Sequence, residues 1–320
     1  MRAGGVQVTP ALVSLDEIRA AAVRIRAVAR RTPLLDVLVD GRRALGLKCE
    51  NFQPGGAFKI RGACNMIAQL PPETRSTGVI TYSSGNHGRA VALVAQAFRI
   101  PAVIVMPETA PRVKVEGVRS HSAEVIFAGT TSADRKARAE ELASARGLTI
   151  VPPFDHPWIV AGQGTTGLEI LDQRPQVQVI YVPVGGGGQI AGVSAAVKGM
   201  RGHVRVIGVE PVNAARMSAS LAAGHPVTLD RTESIADGLL TLRPGDLTFA
   251  HVQALVDEVV TVTDAEISAG VRWLFREAKI VAEPSGAAAV AAALRTPGRE
   301  AVAVVSGGNV DSDDFARYIR

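Results

Sequence analysis

The chain predicts an α/β fold of two interwoven, doubly wound lobes with mostly parallel sheets, and three observations carry that expectation. Short runs are apolar at nearly every position, at residues 78–82, 102–106, 124–127, 177–184, 204–210 and 301–305. Continuous β-branched runs of this kind mark strands covered on both faces, as in a parallel sheet. Helix-like stretches lie between them, at 89–98, 132–146, 189–198, 264–277 and 286–294. Alternating strand and helix give right-handed crossovers. Finally, 320 residues exceed the usual size of one core, yet no low-complexity tether divides them, so two lobes should share the chain.

Taken in order, a Gly-rich turn at Pro54-Gly55-Gly56 leads into a helix running from Ile60 to Ala68. The strand ending at Tyr82 feeds a polar turn before the helix from Arg89. The strand ending at Val184 feeds four glycines before the helix from Gln189. Thr263-Asp264-Ala265-Glu266 reads as a helix entry, an N-cap candidate followed by early acidic residues. The last strand, 301–305, runs into Ser306-Gly307-Gly308-Asn309.

Composition excludes several function classes. An apolar fraction of 47% with 4% aromatics suits an Ala/Val/Gly-rich enzyme and not a disordered or fibrous chain. The formal charge of +5 is spread among acidic residues with no aromatic interleaving, so a nucleic-acid face is not expected. Cys49 and Cys64 have no metal-type spacing and read as reduced thiols. The first ten residues lack a signal-type apolar core, and the apolar stretch 91–106 is broken by Gln96, Arg99 and Pro101. A cytoplasmic protein without a membrane span is the expectation.

Four segments carry the chemistry. In Phe58-Lys59-Ile60-Arg61-Gly62-Ala63 the lysine stands at a helix start, where the dipole disfavours a cation and eases deprotonation; alone, it would pass for a surface lysine. Ser83-Ser84-Gly85-Asn86-His87-Gly88 joins hydroxyls, an amide and free backbone N–H groups into a carboxylate cradle. A helix cap accounts for one of those residues but not four. Gly185-Gly186-Gly187-Gly188 lets the backbone wrap a phosphate at a helix N-terminus. Ser306 ends a strand where ligands bind in open α/β sheets, although by itself it is a turn.

Together these residues resemble the fold type II pyridoxal phosphate (PLP) enzymes, tryptophan synthase β-like in fold. The likeness is to the group of threonine and serine dehydratases, serine racemases and hydroxyaspartate dehydratases. It runs from about Val13 to Asp311 and includes Ala161-Gly162-Gln163-Gly164-Thr165 and Glu283-Pro284-Ser285. The resemblance implies a large cofactor domain (1–68 and 153–320) and a small mobile domain (69–152). It implies that Lys59 holds PLP as a Schiff base and shuttles the α-proton. Phe58 would pack on the ring, Asn86 would bond its 3′-oxygen, and Gly185, Gly186, Gly187 and Gly188 would hold the phosphate. Glu283 and Ser306 would complete the cofactor site, Ser306 facing the pyridine nitrogen. A serine in that place weakens the electron sink, which suits β-elimination. Ser83, Ser84, Asn86 and His87 would hold the substrate carboxylate with Arg135 as helper, and Ser84 is a candidate proton donor opposite Lys59.

The implied reaction is loss of water from a β-hydroxy amino acid such as L-threonine or L-serine, giving a 2-oxo acid and ammonia, by a homodimer. The alternatives are a racemase or a hydroxyaspartate dehydratase of the same fold. Ala57 departs from the serine common before Phe-Lys. No regulatory extension follows Arg320, so the allosteric effector domain of biosynthetic threonine dehydratases is not expected. Related enzymes hold a divalent cation where Glu210 and Ala214 stand, but Arg216 occupies the place of the expected Asp, so no metal is expected. Arg216 should instead fork onto Glu210 and brace the phosphate loop. Spacing alone also fits a dinucleotide motif (Gly186, Gly188, Ala191, with Glu210 as ribose ligand). That NAD-dependent dehydrogenase reading leaves Lys59 and the Ser84 segment unexplained.

Overall fold

The computed structural model describes residues 10–39, 41, 43–83, 85–110, 112–295 and 300–320. Among the described residues ten strands, β1 (Leu34–Val39), β2 (Arg43–Cys49), β3 (Val79–Tyr82), β4 (Ala102–Met106), β5 (Glu124–Phe127), β6 (Thr149–Ile150), β7 (Val179–Pro183), β8 (Arg205–Pro211), β9 (Glu258–Val262) and β10 (Ala301–Val305), form two sheets. The larger has the order β1-β2-β10-β7-β8-β9 and the smaller β5-β4-β3-β6. Every pairing is parallel except the β1–β2 hairpin. The smaller sheet is drawn wholly from residues 79–150. The larger takes strands from both sides of that stretch.

The helices are α1 (Leu15–Arg24), α2 (Lys59–Ile67), α3 (Pro72–Thr77), α4 (Asn86–Phe98), α5 (Arg112–Arg119), α6 (Ser132–Arg146), α7 (Pro157–Gln173), α8 (Gly188–Met200), α9 (Arg216–Ala223), α10 (Asp246–Leu255), α11 (Asp264–Trp273), α12 (Pro284–Arg295) and α13 (Ser312–Ile319). Among the described caps three are reciprocal capping boxes, Ser14 with Glu17, Thr131 with Asp134 and Thr263 with Glu266. Each box satisfies N–H groups that a helix start leaves unpaired. The helix expected at 264–277 divides: α11 stops at Trp273 and a π-helical turn, Leu274–Ala278, follows.

Packing brings the loops that matter to one place. Strand β10 is buried at all five residues and sits between β2 and β7. Helix α12 is rich in alanine and wholly buried from Pro284 to Ala293, packing with β10, Ile207, Val209 and Val271 in one core. A second core joins α2 and α4 to β3 and β4 through Ile60, Ile67, Val91, Val94 and Ile104. The C-terminal ends of β3, β7 and β10 therefore open toward the start of α2, where open α/β sheets bind ligands. Among the described residues no helix is long and apolar enough to cross a membrane.

Candidate active site

Backbone bonds stitch the Lys59 segment to the loop after β10. Phe58 N–H donates to Ser306 O (3.0 Å), Gly308 N–H to Gly56 O (2.9 Å), and Ala57 forms an isolated bridge with Gly307. Lys59 is the first residue of α2, and its Nζ donates to Pro153 O at 2.8 Å. The Phe58 ring lies 5.1 Å from the same nitrogen. Loss of water around the ammonium pushes its pKa down to about 8, because desolvation penalises the charged form.

Arg61, two residues on, anchors that helix start. Its fully buried guanidinium pairs with both oxygens of Glu50 (2.7 and 2.8 Å) and both of Glu169 (2.7 and 2.8 Å), and also donates to Thr165 Oγ1 (3.0 Å). Lys48 joins the cluster through Glu169 at 2.5 Å. Sequence reasoning missed this network, which reaches from β2 to α7 and has no local pattern.

The second cradle lies at the start of α4. Arg89 N–H is the first to turn back, onto Gly85 O, so the N–H groups of Asn86, His87 and Gly88 have no partner inside the helix. Ser83 Oγ accepts from Gly85 N–H at 3.3 Å. Ser84 lies outside the described residues. The resemblance implied that His87 helps to hold a carboxylate; its imidazole turns to the backbone and not into the cradle, which leaves its main-chain N–H for that part. Nε2 lies 2.9 Å from Val151 O, which only accepts, so Nε2 carries the hydrogen. Desolvation and the nearby Lys59 charge lower the ring's pKa to about 3, leaving a bare, partnerless Nδ1 that has nothing to donate. Arg135 is also not brought to the cradle. Its guanidinium turns back on its own helix start, donating to Thr130 O (3.3 Å) and Ser132 Oγ (2.8 Å).

The tetraglycine loop forms the third wall. Gly187 has φ +97°, and a Cβ at Gly186 would lie 2.4 Å from the Phe154 ring, so a side chain is excluded at both positions. Gly188 opens α8, whose first N–H to bond within the helix is that of Ala191, onto Gly187 O. The preceding amides therefore face outward, as an anion requires. Thr248 Oγ1 donates to Gly186 O at 2.6 Å, and Asp155 accepts from the N–H groups of Asp246 and Thr248 (3.1 Å each). Phe154 and Asp155 thus tie the loop to α10.

Behind the loop, Arg216 is completely buried. It braces the loop as expected, but not by forking onto Glu210. Nε donates to Gly185 O at 3.0 Å, and Nη1 and Nη2 donate to Ala214 O and Val184 O. Its nearest approach to Glu210 is 3.6 Å. The Glu210 carboxylate instead accepts from Met217 N–H, Ser218 N–H and Ser218 Oγ, each at 2.9 Å. A ribose ligand needs a free carboxylate, so the dinucleotide reading fails here.

The fourth wall is Glu283 and the loop after β10. Burial raises the Glu283 carboxyl to about 8, with Asp237 adding to it. Its Oε1 accepts from Asn86 Nδ2 at 2.6 Å. Ser306 is buried, and its hydroxyl makes a long contact of 3.4 Å with Ser285 O. Contacts thus link the walls: Phe58 to Ser306, Asn86 to Glu283, Lys59 to Pro153, and the glycine loop to the adjoining Phe154.

Comparison with known proteins agrees with this arrangement. The profile of a family described as pyridoxal-phosphate dependent enzyme matches residues 25–307. An L-threonine ammonia-lyase of Thermotoga maritima is 43% identical over 316 residues, covering 96% of this chain and 78% of that protein. A serine racemase of Schizosaccharomyces pombe is 36% identical, covering 96% and 98%. The solved structure of maize serine racemase superposes with a TM-score of 0.91 at 38% identity, covering 96% and 97%.

Proposed function

The chain belongs to the family of pyridoxal-phosphate dependent enzymes, and from that premise we propose that it is a dehydratase of β-hydroxy amino acids such as L-threonine or L-serine. The single observation that carries the reading is the convergence of Lys59, held at about 8, with two outward-facing helix starts. The residues fit the cofactor. The glycine loop offers N–H groups where side chains are sterically barred, which suits a phosphate. Asn86 retains a second amide hydrogen for a ring oxygen, and the buried Ser306 hydroxyl after β10 would answer the ring nitrogen. When bound, PLP supplies an electron sink that acidifies the Cα–H of an amino acid.

The protein's part is binding, orientation and proton transfer. Lys59 would hold the cofactor's aldehyde carbon and, once displaced by substrate, take the Cα proton at Nζ. Its lowered pKa keeps a usable neutral fraction near neutrality. Phe58 would pack on the ring, and Gly185 to Gly188 with the start of α8 would hold the phosphate. The backbone N–H groups of Asn86, His87 and Gly88, with the hydroxyls of Ser83 and Ser84, hold the substrate carboxylate. The Cα–H and Cβ–O bonds break, a C=C bond forms and hydroxide leaves with a proton as water. The released enamine then tautomerises and hydrolyses to a 2-oxo acid and ammonia. Arg216 stands in place of a divalent cation behind the phosphate loop. The protein is a cytoplasmic homodimer in this reading, supported by two free buried thiols and by the dimer that the family resemblance implies.

The test is a substrate panel of L-threonine, L-serine, D-serine, phenylserine and the 3-hydroxyaspartates scored for keto acid, ammonia and inversion. Keto acid with stoichiometric ammonia from L-threonine or L-serine supports the reading, and inversion alone contradicts it. A racemase is the second reading, favoured by the likeness to serine racemases; it would need Ser84 as a proton donor opposite Lys59. There, Ser84→Ala should suppress inversion and spare elimination.

A further inference from the structure

Four side chains form a chain of hydrogen bonds whose polarity is set at one end. Arg89 Nη1 donates to Asn309 Oδ1 at 3.0 Å. Asn309 Nδ2 donates to Gly55 O at 2.7 Å and to Asn86 Oδ1 at 2.8 Å. Asn86 Nδ2 donates to Glu283 Oε1 at 2.6 Å. A guanidinium only donates and a carbonyl only accepts, whereas an amide has one face of each kind. Asn309 therefore has a single orientation, its oxygen toward Arg89 and its nitrogen toward Gly55. Both hydrogens of that nitrogen are then used, the second on Asn86. Asn86 must answer with its oxygen, which turns its own nitrogen toward the site.

Glu283 does not fix this polarity. With its carboxyl raised to about 8 it carries a proton at neutral pH, and a carboxylic acid meets either face of an amide equally well. The direction comes from the other end, where Arg89 and the Gly55 carbonyl together orient Asn309.

We propose that Arg89 and Asn309 are positioning residues that set the polarity of Asn86, so that it presents an N–H and not a carbonyl to the ring oxygen of the cofactor. The inference rests on the reading that Asn86 contacts that oxygen. An N–H there stabilises a deprotonated ring oxygen, and a carbonyl would repel it. Neither Arg89 nor Asn309 touches the cofactor in this account.

The decisive variant is Asn309→Asp, which keeps an acceptor for Arg89 but donates nothing to Asn86. Asn86 then turns its N–H toward Asp and its oxygen into the site. In the PLP-loaded protein the visible absorption band should lose intensity to a band at shorter wavelength, since the ring oxygen retains its proton. The apoprotein's affinity for PLP should fall about tenfold or more, the worth of one charge-assisted hydrogen bond. Asn86→Ala is the reference and should move both readouts the same way. The double variant should lose little more than Asn86→Ala alone. If Asn86→Ala shifts band and affinity while Asn309→Asp leaves both as in the parent, the inference is wrong and the cofactor contact stands. If Asn86→Ala changes neither, the contact itself is wrong and the inference goes with it. Should Asn309→Asp lower the unfolding midpoint of the apoprotein, Arg89→Met decides, since it removes one of the two contacts, the other being Gly55 O, that hold Asn309 in this orientation. A normal band and affinity in that variant overturn the proposal.

Discussion

Replacing Arg216 with alanine should destabilise the protein by about 3–5 kcal/mol, the usual cost of removing one partner from a buried ionic pair. The structure supports the upper part of that range. The guanidinium is fully buried, donates to three backbone carbonyls and lies 3.6 Å from Glu210. Each hydrogen bond to a charged group contributes about 1.5–3 kcal/mol, offset in part by the desolvation the cation no longer suffers. Glu210 supplies a second signature. Burial holds its carboxyl above the ordinary carboxylate range while Arg216 pulls it down, so in the variant it rises further. A group whose folded pKa is raised stabilises fully below its unfolded value and loses that contribution as pH rises through the folded one. The deficit should therefore be larger at pH 8 than at pH 5. Urea unfolding of parent and variant across that range, with unchanged m, measures it. A deficit below about 1 kcal/mol, typical of an exposed pair, or one flat with pH would refute a buried pair at this position.

Further outcomes follow from the same geometry. Chelators should leave activity and thermal stability of the parent unchanged, whereas Arg216→Asp, which adds a carboxylate among carbonyl oxygens, should introduce Mg²⁺ or Ca²⁺ sensitivity; loss of parent activity in EDTA restored by Mg²⁺ would contradict this. Incorporation of PLP into the apoprotein requires neutral Lys59, so its rate should climb about tenfold per pH unit below pH 8 and level off above; a rate independent of pH from 6 to 8 would count against the lowered pKa. Gly186→Ala sets a Cβ 2.4 Å from Phe154 and should weaken PLP binding by roughly a hundredfold, about 2.7 kcal/mol, as equilibrium dialysis would show. Activity should carry no inflection from His87 between pH 5 and 8, because its ring is already neutral there; a His87-dependent limb near pH 6.5 would show otherwise.

Much of this architecture was legible in the chain because parallel strands and glycine loops leave local marks. The runs at 102–106 and 301–305 appear as β4 and β10 with the expected bounds, and Thr263 caps its helix with Glu266. The β1–β2 hairpin and helix α7 were not anticipated. Strand β1 mixes exposed and half-buried residues, and α7 is buried on nearly every side, so neither has a strong period. At the site, Lys59, Asn86, the glycine loop and Ser306 converge as the motifs suggested. The side-chain directions of His87 and Arg135 were hidden, because each is set by a partner that a motif does not name: the Val151 carbonyl and the start of α6. Arg61 and Asn309 stood inside the quoted motifs, yet their roles depend on Glu50, Glu169, Arg89 and Asn86, far away in the chain.

The measurement that bears most directly on the account is borohydride reduction of the PLP-loaded protein followed by peptide mapping of the modified lysine. The chain has six lysines, Lys48, Lys59, Lys114, Lys136, Lys198 and Lys279. Stoichiometric phosphopyridoxyl label on Lys59, absent from Lys59→Ala together with all turnover, is the predicted result. Label of the same stoichiometry on any of the other five, or turnover surviving in Lys59→Ala, would contradict it.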